Sequence, residues 1–388
     1  MKKIGLYIHI PFCKSKCYYC DFVSFAKKEE FYIQYVDCIK KELIKYSNEN
    51  KIMYNHKLEE LYEIDTIYIG GGTPSIIDKS LIEDIIKCVK KNFYINNNAE
   101  ITIEINPGTA DLEKLETYKS IGINRLSIGL QARQDNLLKQ IGRIHTYEQF
   151  KSVYMLARKI GFNNINIDLM IGLPSQTLQD VKHSIKSILN LKPEHISVYS
   201  LIVEENTLIS KKIQSKELVL PSDEEERKMY WYVKRHLEKH NYNHYEISNF
   251  AKPGFESKHN LDCWNQKEYI GIGLAASSFL DNNRYSNISD LDKYIYNVQN
   301  NIQSKNLVLE ETLNIESKMK EYMILGLRKI SGVNINSFKD VFNTNPIVKF
   351  CNELNKLSKD GLIIVDKNDI KLTNKGLDLA NVVWGEFA

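Results

Sequence analysis

Up to about residue 200, six short apolar runs alternate with longer segments whose apolar residues recur at helical spacing. The runs are residues 3–10, 64–70, 100–105, 125–130, 164–170 and 195–201. Strands that alternate with helices form a parallel sheet, because each helix carries the chain back to begin the next strand in the same direction. Six such units predict an α/β fold, a partial TIM-like (β/α)6 barrel whose functional side chains gather at the carboxyl ends of the strands.

The segments between the runs carry explicit helix start signals. Three of them show the capping-box pattern, a Ser or Thr followed three residues later by an acid or amide: Thr146 with Gln149, Thr177 with Asp180, and Ser222 with Glu225. Gly161 is placed to end the helix that begins after Thr146. These signals fix where individual helices begin along the barrel.

Composition excludes several classes of protein. The 388 residues carry 52 basic and 49 acidic side chains, a net charge of +3 that predicts no nucleic-acid partner. No apolar run approaches the roughly 18 residues of a membrane span, and the first residues do not resemble a secretory signal. Of seven cysteines, four are scattered, which is not a disulfide framework, so we expect a cytoplasmic protein in a reducing compartment.

The last quarter of the chain has a different pattern. Residues 291–310 are polar and predict a linker between a barrel domain, residues 1–290, and a module of residues 311–388. This module reads as three helices and a two-stranded wing, similar to a winged helix. Its 11 basic and 10 acidic residues offer no phosphate-binding face, so we expect an accessory domain.

Three cysteines follow the first run at CxxxCxxC spacing: Cys13, Cys17 and Cys20. Three thiolates suit an iron-sulfur cube that keeps one iron open to an external ligand. A structural zinc site needs four ligands, and the fourth would come from His9 or Cys38. Both readings remain open on spacing alone.

The stretch YIHIPFCKSKCYYCDF, residues 7–22, together with GGGTP at residues 70–74 after the second run, resembles the radical S-adenosylmethionine superfamily. Within it, the chain is similar to the anaerobic coproporphyrinogen III oxidase-like family, whose branches include these oxygen-independent oxidases and the heme chaperone HemW. The resemblance implies a partial barrel of the radical SAM type, a 4Fe-4S cluster and S-adenosyl-L-methionine. In that superfamily the open iron binds the amino and carboxylate groups of S-adenosylmethionine, and the reduced cluster passes one electron to its sulfonium.

The resemblance also implies site residues, none of them catalytic. The cluster ligands match Cys13, Cys17 and Cys20. Positions around S-adenosylmethionine match Tyr7 and Tyr19 near the cofactor, the glycine-rich loop Gly71, Gly72 and Thr73 at its amino group, and the polar residues Glu104, Gln131, Arg143 and Asp168 at strand ends.

Two functions are compatible with this branch: a heme chaperone that hands heme to apo-hemoproteins, and an enzyme that decarboxylates coproporphyrinogen III to protoporphyrinogen IX. The oxidases carry a further cysteine two residues after the third thiol and a long N-terminal extension, whereas this chain has Asp21 and Phe22 there and its first strand begins by residue 4. Both features favour the chaperone.

Residues 245–264 add a third feature, since they resemble the HNLxYW heme-associated motif of the chaperone branch, with Cys263 where tyrosine is usual. The expected axial ligand of the heme is His259, with Cys263 as the alternative. The sequence leaves open whether S-adenosylmethionine is cleaved, and whether the protein forms a homodimer or contacts a membrane surface.

Overall fold

The computed structural model describes residues 2–49 and 62–388. Its strands are β1 (Lys2–Ile10), β2 (Phe12–Cys13), β3 (Phe25–Ala26), β4 (Tyr62–Gly71), β5 (Tyr94–Ile105), β6 (Arg125–Gln131), β7 (Ile165–Ile171), β8 (His195–Ser200), β9 (Asn243–Glu246), β10 (Asn249–Ala251), β11 (Tyr269–Ile272), β12 (Ser277–Leu280), β13 (Asn283–Asn287), β14 (Leu307–Thr312), β15 (Val333–Asn334), β16 (Ile363–Val365) and β17 (Asp369–Leu372). Its helices are α1 (Tyr32–Glu49), α2 (Lys79–Asn92), α3 (Leu112–Ser120), α4 (Asp135–Gln140), α5 (Tyr147–Ile160), α6 (Leu178–Leu191), α7 (Leu208–Gln214), α8 (Asp223–Glu238), α9 (Lys258–Trp264), α10 (Leu291–Gln299), α11 (Ile315–Gly326), α12 (Ile335–Phe342), α13 (Pro346–Lys349), α14 (Cys351–Lys359), α15 (Asn374–Asp378) and α16 (Ala380–Gly385).

The six predicted strands are confirmed as β1, β4, β5, β6, β7 and β8, which lie side by side in chain order and pair in parallel. The sheet is larger than the sequence indicated. Strand β11 adds in parallel to β1 and is followed by antiparallel β12, β13 and β14, while β10 and β9 add antiparallel to β8. The result is an open twelve-stranded sheet built around the expected partial barrel.

Side chains of the parallel strands alternate between two environments. In β1, Ile4, Leu6 and Ile8 join the apolar core between the sheet and its helices, whereas Gly5, Tyr7 and His9 alternate with them. The same alternation continues in the neighbouring strands, where the second set is polar: Thr66 and Tyr68, Glu100 and Glu104, Arg125 and Ser127, Asn166 and Asp168, His195 and Ser197. These polar residues occupy matching register positions and hydrogen-bond across strands, so the barrel interior is polar.

The predicted helix signals are confirmed. The three capping boxes form at Thr146, Thr177 and Ser222, each with both reciprocal hydrogen bonds. Gly161 ends α5 in the left-handed conformation with φ 98°, which glycine adopts without the steric cost of a Cβ.

Residues 291–310, expected to be a linker, are instead part of the folded body. Helix α10 contributes Leu291, Tyr294, Ile295 and Val298 to the main core, and β14 begins at Leu307 as an edge strand of the large sheet. The polar composition that suggested a linker reflects the turn between α10 and β14, while apolar residues inside α10 keep helical spacing.

The C-terminal residues have a core of their own, built from side chains between Met319 and Phe387. The predicted wing is present as β16 and β17, with β15 as a third strand. We propose that this unit, with its helices and small sheet, is a separate winged-helix-like domain that begins near residue 313. Backbone bonds between Ile330 N and the Tyr245 carbonyl, and between Ile247 N and the Arg328 carbonyl, attach it to the barrel.

Candidate cofactor site

A cavity of about 380 Å³ opens at the carboxyl ends of the parallel strands, within the size range of small-molecule sites. Most of the predicted site residues line it: Cys13, Cys17, Tyr19, Cys20, Gly71, Gly72, Thr73, Glu104, Gln131, Arg143 and Asp168. They come from five different strand ends or the loops that follow them, which explains why they are far apart in sequence. The structure therefore brings the predicted cluster and cofactor residues to one place.

The three thiols are each free and each lies beside a polar group. Thr73 Oγ1 donates to Cys13 Sγ at 3.6 Å, Arg143 Nη1 donates to Cys17 Sγ at 3.6 Å, and Ser24 Oγ lies 4.0 Å from Cys20 Sγ. Burial raises the pKa of the Cys13 and Cys20 thiols. Burial therefore favours the neutral thiol, and the thiolate form would be stabilised by these donors or by a bound metal ion.

The glycine loop approaches the first thiol too closely for a side chain. A Cβ on Gly72 would lie 2.7 Å from the carbonyl oxygen of Phe12 and 3.0 Å from Cys13 Sγ. Gly71 adopts φ 116°, and its amide donates to Glu104 Oε2 at 3.1 Å. Glycine at both positions lets backbone groups face the cavity beside the cysteines.

Neither candidate for a fourth zinc ligand is available in this structure. His9 Nε2 donates to the carbonyl of Val23 at 3.0 Å, and its Nδ1 accepts from the hydroxyl of Tyr7 at 2.9 Å. Cys38 is buried in the main core on α1. The donor set at the cavity is thus three thiols, which fits a cluster with one open iron better than tetrahedral zinc.

Two carboxylates face the cavity in different hydrogen-bond environments. Glu104 accepts from the Tyr68 hydroxyl at 2.9 Å, and burial raises its pKa to about 7. Asp168 accepts from Asn166 Nδ2 at 2.7 Å and from Ser127 Oγ at 3.0 Å, and burial raises its pKa as well. Both carboxylates are suited to ligand groups that donate hydrogen bonds or carry positive charge.

Arg143 is half-buried, and its hydrogen-bonding groups are only partly satisfied. Its Nη2 donates to the Gly129 carbonyl at 2.7 Å, while Nε has no hydrogen-bond partner within the described part of the chain. Nearby Gln131 adopts φ 70°, a left-handed conformation that costs a residue with a Cβ. An unpaired buried guanidinium nitrogen and a strained neighbour, both on the cavity, fit a site prepared for a ligand carboxylate.

Tyr7 and His259 are not cavity residues in this structure. The ring of Tyr7 stacks on Tyr68 with centroids 6.3 Å apart. His259, on α9, is 8% exposed inside the barrel, where its Nδ1 bonds Thr66 Oγ1 at 2.9 Å and its ring stacks on Tyr68 at 5.2 Å. Each is joined to the cavity through Tyr68. For Cys263, burial raises the pKa of the thiol to about 11.

Several residues at the site were not predicted from the sequence. Tyr68, Ser127 and Tyr199 line the cavity, and Asn166 donates a hydrogen bond to the carboxylate of Asp168. The sequence does contain a signal for these residues, because polar side chains recur at every second position in the strands. Parallel strands that are covered on both faces are normally apolar at nearly every position. Phe22, whose side chain is 64% exposed, also lines the cavity and was not predicted as a site residue.

Comparisons with known proteins identify the family of this chain. Residues 7–188 match the Radical SAM superfamily, and residues 313–379 match the HemN C-terminal domain. The chain is 36% identical over 386 residues to heme chaperone HemW of Lactococcus lactis, covering 100% of this chain and 97% of that protein. It is 37% identical to heme chaperone HemW of Bacillus subtilis, covering 98% of each.

Among solved structures, coproporphyrinogen III oxidase HemN from Escherichia coli, described as a radical SAM enzyme, superposes with a TM-score of 0.85. The two sequences are 24% identical, with 100% of this chain and 90% of that one covered. This likeness shows the fold alone. Separately, no helix within residues 2–49 and 62–388 has the length and hydropathy to cross a bilayer.

Proposed function

Because this chain belongs to the HemW family of the radical SAM superfamily, we propose that it is a heme chaperone, which binds heme and transfers it to apo-hemoproteins. The observation that carries the proposal is similarity to HemW proteins along nearly the whole chain, at 36–37% identity. The residue pattern after the third thiol, Asp21 and Phe22 in place of a further cysteine, supports the same branch.

We propose that Cys13, Cys17 and Cys20 hold a 4Fe-4S cluster and that the adjoining cavity holds S-adenosylmethionine. The cluster, when bound and reduced, supplies one electron. The backbone of Gly71, Gly72 and Thr73 is placed for the amino group of the ligand, and the unpaired Nε of Arg143 for its carboxylate. Glu104 and Asp168 remain for the ribose hydroxyls and the positive charge.

A paired anaerobic assay tests the function. The reconstituted protein is titrated with hemin and separately incubated with coproporphyrinogen III, S-adenosylmethionine and a reductant. We expect saturable binding in the hemin titration. In the incubation with coproporphyrinogen III, we expect no protoporphyrinogen above the level of a Cys13→Ala control. Formation of protoporphyrinogen above that level would instead identify a coproporphyrinogen III oxidase.

His259 supplies a prediction for the heme site. Axial ligation by His259 requires α9 to move its ring away from Thr66 and Tyr68, since both now hold it inside the barrel. We expect His259→Ala to weaken heme binding by roughly tenfold or more, because an axial nitrogen is lost, and to leave iron and sulfide content unchanged. The exposed His240, replaced by alanine, is the control. An unchanged hemin titration in His259→Ala removes this residue from the heme site.

Glu104 predicts a pH dependence for S-adenosylmethionine binding. With a pKa of about 7, Glu104 is mostly neutral at pH 6 and mostly charged at pH 8. Because the ligand is cationic, affinity should rise with pH across this window, by at most about tenfold per unit below the pKa. Equilibrium dialysis between pH 6 and 8 measures the affinity. Glu104→Gln should flatten the profile and the exposed Glu30→Gln should not; a parallel slope in Glu104→Gln would exclude Glu104 as its source.

The remaining expectations concern the cell. We propose a cytoplasmic location and apo-hemoproteins as recipients.

A further inference from the structure

A continuous series of buried and partly buried hydrogen bonds connects the floor of the cavity with the start of α9. Asn166 Nδ2 donates to Asp168 at 2.7 Å, and Asn166 Oδ1 lies 2.6 Å from His195 Nδ1. His195 Nε2 lies 2.7 Å from the hydroxyl of Tyr245, which accepts from the amide of Ser257 at 3.2 Å. Ser257 is the N-cap of α9. These hydrogen bonds therefore connect the Asp168 carboxylate at the cavity to the helix that carries His259.

In each hydrogen bond between Asp168 and Ser257, the surroundings determine which group donates and which accepts. The amide of Asn166 must present Nδ2 to the Asp168 carboxylate, so its oxygen accepts from His195 Nδ1. Burial lowers the pKa of His195 well below its ordinary value, so the ring is neutral and its Nε2 accepts from Tyr245. All donors then point from Ser257 towards Asp168. Consecutive hydrogen bonds that all point in the same direction polarise and strengthen one another.

A second connection runs parallel to the first. Glu104, the other cavity carboxylate, accepts from the hydroxyl of Tyr68, and the Tyr68 ring stacks on His259. The N-cap of α9 and its first turn, which face the barrel, are thus both connected to carboxylates of the cavity. Glu100 adds a fixed anchor, since its carboxylate accepts the amides of Lys258 and His259 at 3.1 and 3.2 Å.

We propose that Asn166, His195 and Tyr245 are positioning residues that couple the occupancy of the cavity to the opening of α9. A ligand that holds the Asp168 carboxylate in place strengthens the hydrogen bond that Asp168 accepts from Asn166. The connected hydrogen bonds then hold Ser257, the N-cap of α9, in place. Since His259 must leave the barrel to reach a heme, occupancy of the cavity then controls when His259 is released. This inference rests on the proposed binding of S-adenosylmethionine and on the proposed role of His259 as a heme ligand.

Tyr245→Phe removes one hydroxyl from the middle of the chain. The backbone of Tyr245 remains attached to the C-terminal domain through Ile330 N, so the fold should persist. Hydrogen exchange of the 257–264 peptide is measured in reconstituted protein with and without S-adenosylmethionine, with ligand affinity determined in parallel by equilibrium dialysis. Tyr296→Phe, at a 61% exposed tyrosine, is the matched control.

In the wild type and Tyr296→Phe, S-adenosylmethionine should slow exchange of this peptide at least about twofold. In Tyr245→Phe the ligand should bind within about threefold of wild-type affinity without slowing exchange. His195→Asn breaks the chain one link earlier and must give the same result, which covers a Tyr245→Phe protein that does not fold.

Equal slowing in Tyr245→Phe and wild type would overturn the route through this chain. Bound ligand that leaves wild-type α9 unchanged would overturn the coupling but not the proposed cofactor. Wild-type protein that does not bind S-adenosylmethionine would overturn the proposed cofactor site, and the coupling with it.

Discussion

Replacing Cys13 with alanine should abolish the iron-sulfur cluster, the largest single effect that the structure predicts. A 4Fe-4S cube held by three thiolates contains about four iron atoms per chain, and two thiolates cannot retain it. Cys13 is also the thiol that the Gly72 backbone and the Thr73 hydroxyl approach, so its loss removes the contact between the cysteines and the glycine loop. We expect iron and acid-labile sulfide after anaerobic reconstitution to fall to below about one atom per chain.

The matched control is Cys351→Ala. Cys351 is an exposed thiol on α14, where its sulfur accepts from Asn355 Nδ2 at 3.3 Å, in a domain distant from the cavity. Its removal should leave iron and sulfide at about four atoms per chain. A Cys13→Ala protein with the iron and sulfide content of Cys351→Ala would contradict the assignment of the three cysteines.

Replacing Gly72 with alanine should strongly weaken S-adenosylmethionine binding. The added Cβ meets the Phe12 carbonyl at 2.7 Å and Cys13 Sγ at 3.0 Å. Because Phe12 and Cys13 form β2, neither atom can shift far without moving that strand. Overpacking of this kind costs about 1–3 kcal/mol. The expected loss of affinity is roughly 10- to 100-fold, measured by equilibrium dialysis with the iron content determined on the same sample.

Gly385→Ala makes the same chemical change in open space, because a Cβ there meets nothing within 4 Å. It should bind S-adenosylmethionine like the wild type. Wild-type affinity and iron content in Gly72→Ala would show that the loop does not approach the ligand, and would remove Gly71, Gly72 and Thr73 from the proposed site.

The parallel strands and the cavity were predictable because their signals are local. Six apolar runs gave β1 and β4–β8, and the capping boxes at Thr146, Thr177 and Ser222 fixed helix starts through contacts three residues apart. Once parallel order is known, residues at successive strand ends must meet at one edge. The strand order agrees with the positions that the family resemblance implied for Glu104, Gln131 and Asp168, which line the same cavity as the cysteines.

What the sequence did not predict depends on contacts between distant segments. Strands β9 to β14 are three to six residues long, and β13, with the sequence NRYSN, has no apolar pattern; they form because β1 and β8 leave open edges. Helix α10 looked like part of a linker because the polar turn after it dominates the composition. The burial of His259 against Thr66 joins residues 193 positions apart, which no local motif reports.

Transfer of heme is the measurement that tests the chaperone function most directly. Reconstituted protein loaded with one heme is mixed anaerobically with an apo-hemoprotein, and the absorbance spectrum of the acceptor is followed after the two proteins are separated. The account predicts that heme moves to the acceptor and that a His259→Ala protein, loaded less fully, delivers correspondingly less. Heme that stays on the loaded protein, or an acceptor that fills no faster than from free hemin, would contradict a chaperone function.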